Sequence, residues 1–245
     1  MKQGIFEIKE NTPIAENTLR MRLSGDASEI ARPGQFVNIQ INGAFLRRPL
    51  SVCHASRNEL TVIYRVAGKG TEKLASMLPG DRLDILTGLG NGFDLSLSGN
   101  HPLLIGGGTG VSPMYWLAKE LISQGKSVKV ILGFAKASEV FYEAEFQDLG
   151  AEVSVTTEDG SYGVRGYVTA AMADADYTYF YTCGPEAMLK AVCSAAPTSG
   201  QMSFSARMGC GFGACMGCTC KTIAGNKRIC RDGPVMKKEE ILWED

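Results

Sequence analysis

The chain has 245 residues, 44% of them apolar, with 25 lysines and arginines against 26 aspartates and glutamates for a net charge of -1. Those values exclude a disordered chain, which needs fewer apolar residues and a large net charge, and they offer no basic stripe for a nucleic acid. No apolar run approaches the ~18 residues of a membrane-spanning helix, and Met1-Lys2-Gln3-Gly4 leads into a strand-like pattern without a signal-peptide core, so a soluble, cytoplasmic protein without a membrane partner is expected. The length suits two domains and a small appendage.

Residues 1–97 read as an antiparallel β-barrel. Thr18–Leu23, Phe36–Ile41 and Leu60–Val66 alternate apolar and polar residues, and Arg82–Leu86 follows the turn Pro79-Gly80-Asp81. Within it, Arg47-Arg48-Pro49-Leu50-Ser51 sets two guanidinium groups and a hydroxyl near a strand, and Gly68-Lys69-Gly70-Thr71 precedes a helix-like run, Glu72–Leu78. Together they could cradle a pyrophosphate, arginine supplying its fork geometry. An exposed basic strand followed by a plain turn explains the same residues.

Residues 98–200 alternate β and α. Strands at 102–105, 127–134, 151–156 and 177–182 are interleaved with helices at 112–124, 143–149, 167–172 and 186–194, which predicts a parallel sheet with helices on both faces. The first strand runs into Gly106-Gly107-Gly108-Thr109-Gly110-Val111-Ser112-Pro113. Glycines there let backbone N–H groups approach a phosphate at a helix N-terminus. The spacing is not G-x-G-x-x-G, and a tight turn without a ligand would also use glycine. Its place at the carboxyl end of the first strand favours a nucleotide. Thr182-Cys183-Gly184-Pro185, after the last strand, would form the second wall. Lys136 and Ser138 follow the second strand and could meet a 2′-phosphate, with solvated surface as the plainer reading.

Residues 201–245 carry five of the eight cysteines and little regular pattern, apart from a helix expected after Pro234. Cys210-x4-Cys215-x2-Cys218 matches the first three ligands of a plant-type 2Fe–2S site, and Cys230 supplies a fourth thiolate. Four thiolates also satisfy zinc, but zinc sites usually pair two C-x2-C knuckles and one such pair occurs here. Cys220 reads as a spare, and Cys53 and Cys193 as buried apolar residues. With His54 and His101 as the only histidines, no acid–base catalytic residue is expected.

An Arg-x-x-Ser strand, a Gly-x-Gly-Thr turn, a Gly-Gly-Gly-Thr-Gly-x-Ser-Pro loop and a Cys-Gly-Pro loop, in that order, resemble the ferredoxin–NADP reductase superfamily. The C-terminal C-x4-C-x2-C-x11-C resembles one branch of it, the electron transfer subunits of bacterial NAD+-linked dihydroorotate dehydrogenases. The resemblance implies FAD contacts at Arg48, Pro49, Leu50, Ser51, Ile63, Tyr64, Arg65, Gly70 and Thr71. It implies NAD contacts at Gly106–Gly110 and Cys183-Gly184-Pro185, and cluster ligands at Cys210, Cys215, Cys218 and Cys230. Leu50 stands where much of the superfamily has tyrosine, so stacking on the flavin must come from elsewhere.

The resemblance also implies a partner, an FMN-containing catalytic subunit that oxidises dihydroorotate, in a heterotetramer with two of each subunit. Electrons would pass through the cluster and FAD and leave to NAD+, serving pyrimidine biosynthesis. The alternatives are a related ferredoxin or sulfide reductase flavoprotein subunit, or a zinc-stabilised module with no redox role. Purified protein would be yellow-brown in the redox cases and colourless in the last.

Overall fold

The computed structural model describes residues 1–173 and 175–243. Strands β1 (Lys2–Ala15), β2 (Thr18–Ser24), β3 (Phe36–Ile39), β4 (Arg48–Ala55), β5 (Glu59–Arg65) and β6 (Arg82–Leu89), with helix α1 (Lys69–Ala75) between the last two, form the first part of the chain. They close into an antiparallel barrel in the order β1-β2-β5-β4-β3-β6. Period-two alternation puts one side of each strand inside: Phe6, Ile8, Met21, Leu23, Val37, Ile39, Leu60, Val62, Tyr64 and Ile85 fill the interior. Each such side chain contributes about 1.5–3 kcal/mol of burial.

The second layer alternates as expected. β7 (Pro102–Gly107), α2 (Val111–Ser123), β8 (Lys129–Phe134), α3 (Glu143–Asp148) and β9 (Glu152–Thr157) are followed by β10 (Val164–Arg165), α4 (Val168–Met172), β11 (Tyr179–Cys183), α5 (Glu186–Ala195) and β12 (Gly200–Ser203). These strands pair in parallel, and α2 and α3 pack on one face while α4 and α5 pack on the other. Met114, Leu117, Ala118 and Leu121, at helical spacing, turn α2 toward the sheet, while Trp116 enters the barrel core. One helix therefore fixes barrel and sheet together.

The C-terminal segment is more regular than its sequence suggests. β13 (Thr219–Thr222) and β14 (Gly225–Arg228) form a hairpin, followed by α6 (Ile229–Asp232) and β15 (Val235–Lys237). The helix expected after Pro234 is reduced to one 3-10 turn, Lys238–Glu240, among the described residues: Val235 and Met236 before it extend and pair antiparallel with Met202 and Ser203, because β12 offers an open sheet edge. The division expected at residue 200 thus falls inside strand β12. The sheet runs β10-β9-β8-β7-β11-β12-β15, with the cysteine segment built onto its end.

Candidate functional site

The chain runs β7 to β8 to β9 in one direction and then returns to β11 on the other side of β7, so the sheet's topological switch point lies between β7 and β11. Ligands of open α/β sheets bind beyond the strand ends at such a point. Cys183 pairs in register with Gly106, so both loops leave the sheet at one level. They are in contact: a Cβ on Gly110 would strike the Cys183 carbonyl oxygen, and one on Gly107 would strike Met188 Sδ and Pro185. Three of the glycines, Gly106, Gly107 and Gly110, are therefore required by packing, since each is buried against a neighbouring chain segment. Gly108 differs. Its φ is +53° and a Cβ there would meet nothing within 4 Å, and Thr109 beside it is exposed. The open part of the loop, where a phosphate has room, is Gly108-Thr109.

In the barrel, Arg48 and Gly70 come together. The Arg48 guanidinium lies over the α1 turn so closely that a Cβ on Gly70 would sit 2.6 Å from its Nε. Arg48 Nη1 donates to the Leu46 carbonyl oxygen at 2.6 Å, and among the described residues no carboxylate pairs with it. Thr71 Oγ1 accepts N–H bonds from Ala67 (2.9 Å) and Gly68 (3.2 Å), shaping the turn rather than pointing away from it. Pro49 and Ser51 line a cleft of about 80 Å³ with Phe36, Ser203, Phe204 and Met208. Phe204 and its neighbours carry no motif, and nothing in the sequence pattern signalled that this segment lies against the barrel.

The remaining expected flavin contacts are divided by the strand's two faces. Leu50 packs against the barrel core, and the Tyr64 ring is inside it, its hydroxyl donating to Asn11 Oδ1 at 2.8 Å. Burial pushes the Tyr64 phenol up to about 12, so it stays neutral. Both side chains share that core with Leu74 and Ala75 of α1. Ile63 faces outward and packs with Val111 and Met114 of the nucleotide layer. Arg65 pairs with Glu139 at 2.9 Å.

The four motif cysteines gather in two pairs. Cys210 N–H points at Cys215 Sγ (3.4 Å) and Ala214 N–H at Cys210 Sγ (3.2 Å), while Cys230 N–H points at Cys218 Sγ (3.4 Å). Burial disfavours a Cys210 thiolate, but the Phe212, Cys215 and Ala214 amides and the Cys215 thiol outweigh it and bring its pKa down to about 6. Burial and the neighbouring Cys218 sulfur push Cys230 up to about 12. Among the described residues no three His, Cys, Asp or Glu side chains converge on a single ion. Two thiol pairs fit a two-iron cluster, which takes two thiolates per iron, better than one tetrahedral zinc. Cys220 turns away from these pairs to Met236 Sδ at 3.6 Å. Cys53 is fully buried as expected, whereas Cys193 is only partly so.

The cysteine loop is tied to β3, the partner strand of β4. Asn38 Nδ2 donates to the Cys210 carbonyl oxygen at 3.2 Å, and Asn38 stands directly opposite Pro49 in the β3–β4 ladder. Neighbouring strands are about 4.8 Å apart, so one strand spacing separates the anchor of the thiol loop from the Arg48–Ser51 segment.

The profile of the iron–sulfur cluster binding domain of dihydroorotate dehydrogenase B matches residues 205–242, and that of the oxidoreductase NAD-binding domain matches residues 104–194. A dihydroorotate dehydrogenase B (NAD(+)) electron transfer subunit from Geobacillus sp. (strain WCH70) is 41% identical, with 99% of each chain covered. The chain belongs to this family of electron transfer subunits. Another member, from Bacillus caldolyticus, is 43% identical over 94% of each chain. Among solved structures, that of an NADH-dependent reduced ferredoxin-NADP oxidoreductase superposes with a TM-score of 0.87 at 29% identity, covering 97% of this chain and 90% of that one. Phthalate dioxygenase reductase shares the fold, with a TM-score of 0.63 at 18% identity over 78% of this chain and 63% of that one. In this electron transfer subunit no described helix is long and apolar enough to cross a membrane.

Proposed function

We propose that the chain carries electrons between a catalytic partner subunit and NAD+, using a 2Fe–2S cluster and FAD in series. The carrying observation is the Asn38 bridge, which ties the paired thiols to the strand opposite Arg48–Ser51. When bound, FAD exchanges electrons one at a time with an iron–sulfur cluster and two at a time with nicotinamide, so a chain holding all three sites interconverts the two kinds of carrier.

Each residue set has a task. Cys210 and Cys215 would hold one iron, and Cys218 and Cys230 the other, with backbone amides already aimed at three of the sulfurs. Arg48, having no carboxylate partner among the described residues, would meet the FAD pyrophosphate over Gly70 and Thr71, and Ser51 and Pro49 would border the flavin in the cleft that Phe204 closes. The main chain of Ile63-Tyr64-Arg65 would run beside it. Gly108 and Thr109 would receive the NAD pyrophosphate, with the Cys183-Gly184-Pro185 loop as the facing wall. Side chains here bind, orient and exclude water; none is needed as acid, base or nucleophile.

The partner in this reading is an FMN-containing dihydroorotate dehydrogenase subunit, two copies of each chain making the complex, which would act in pyrimidine biosynthesis. The test is anaerobic mixing of the purified chain with that subunit and dihydroorotate. Bleaching of the FAD followed by NAD+ reduction is expected. Bleaching by reduced ferredoxin, with none by dihydroorotate and its subunit, would move the chain to the ferredoxin reductases.

A further inference from the structure

Lys136 and Ser138 lie just past β8, the strand beside which the adenosine half of a dinucleotide extends from the β7 loop. In the structure neither is free for a ligand. Lys136 Nζ pairs with Glu16 Oε1 at 2.8 Å and Ser138 Oγ donates to Glu16 Oε2 at 2.6 Å, so one carboxylate from the barrel holds both. Its place is fixed by the main chain, since Glu16 N–H donates to the Ser138 carbonyl oxygen at 2.9 Å. The rest of this edge repeats the pattern. Arg65 is paired with Glu139, and Glu158 and Asp159 continue β9 alongside, their N–H groups bonded to Phe134 and Ala135. Arg165, on the outer strand, lies against Gly160.

We infer that Glu16 makes this site select NAD(H) over NADP(H). The inference rests on the nucleotide reading of the Gly108-Thr109 loop. A 2′-phosphate, carrying roughly -1.5 to -2 charges like other phosphomonoesters, would enter an edge whose nearest cation is already neutralised and whose other groups are mostly carboxylates. A ribose 2′-hydroxyl is uncharged and can donate to a carboxylate. Specificity is thus set by a carboxylate at the edge of the barrel that occupies the cation a 2′-phosphate would need. Being electrostatic and exposed, the discrimination weakens as salt rises.

The experiment uses the full chain with its FAD, titrated calorimetrically with AMP and with adenosine 2′,5′-bisphosphate, and in parallel the rate of flavin reduction by NADH and NADPH. Glu16→Gln keeps the backbone bond to Ser138 and frees Lys136. It should raise the bisphosphate-to-AMP affinity ratio about tenfold or more, as one charge-assisted bond to phosphate allows, with a matching rise in the NADPH-to-NADH rate ratio. Adding Lys136→Ala should cancel the gain. An unchanged ratio in Glu16→Gln, or a gain that survives Lys136→Ala, overturns the role of Glu16. AMP affinity that is indifferent to Gly108→Val would overturn the nucleotide site itself, and the proposal with it, whatever Glu16→Gln does.

Discussion

Arg48 and Tyr64 show how differently two neighbouring residues of one motif set can act. The Arg48 guanidinium lies over Gly70 without a carboxylate partner among the described residues, whereas the Tyr64 phenol is inside the barrel on Asn11. Arg48→Ala removes a charge-assisted contact worth about 1.5–3 kcal/mol, and FAD should then dissociate about tenfold more readily or worse, measured by flavin retained on desalting. Tyr64→Phe should instead cost about 1 kcal/mol of stability through the lost Asn11 bond, read from a denaturant midpoint, with flavin retained. The opposite pair of results would exchange the roles given to the two residues. The sequence joined the two only through the family resemblance; it could not say that β4 and β5 are neighbours or which face each side chain takes, since a register shift between Val52 and His54 breaks the alternation.

At the scale of elements, the loop after β7 is glycine-rich for two separate reasons. Gly110→Ala would drive a methyl group into the Cys183 carbonyl, separating the two loops, so both stability and NADH-driven flavin bleaching should fall. Gly108→Val places its side chain in open space at a positive φ, costing about 1–2 kcal/mol in strain while leaving the barrel intact. Bleaching by NADH should be lost with FAD still bound, and normal bleaching would mean that the nucleotide lies elsewhere. In the C-terminal segment, serine at Cys210, Cys215, Cys218 or Cys230 should lower bound iron, and serine at Cys220 should not, as iron analysis would show. Spacing alone exposed the four thiols, because a cluster dictates ligand separation along the chain. It could not show β12, β15 or the β13–β14 hairpin: each is too short for a period to register, and β15 is extended only because the edge of β12 is there to receive it.

For the whole molecule, the architecture follows from shared cores. α2 is packed on both layers, Ile63 joins the nucleotide core, and Phe36 and Leu89 of the barrel pack with Cys218 and Cys230 of the thiol segment. Domain order was legible because hydrophobic period changes from two to mixed near residue 100; the fusion of the last segment with the sheet was not, since it depends on contacts far apart in sequence. These joints pack the thiol pairs, the Arg48 strand and the loops after β7 and β11 into one body, and the proposed function has electrons cross it. The most direct measurement is an anaerobic titration of the purified chain with NADH, following flavin absorbance and the EPR spectrum together. The account predicts bleaching of bound FAD accompanied by the signal of a reduced 2Fe–2S cluster. Zinc in place of iron, or bleached flavin beside a cluster that NADH never reduces while dithionite does, would contradict it.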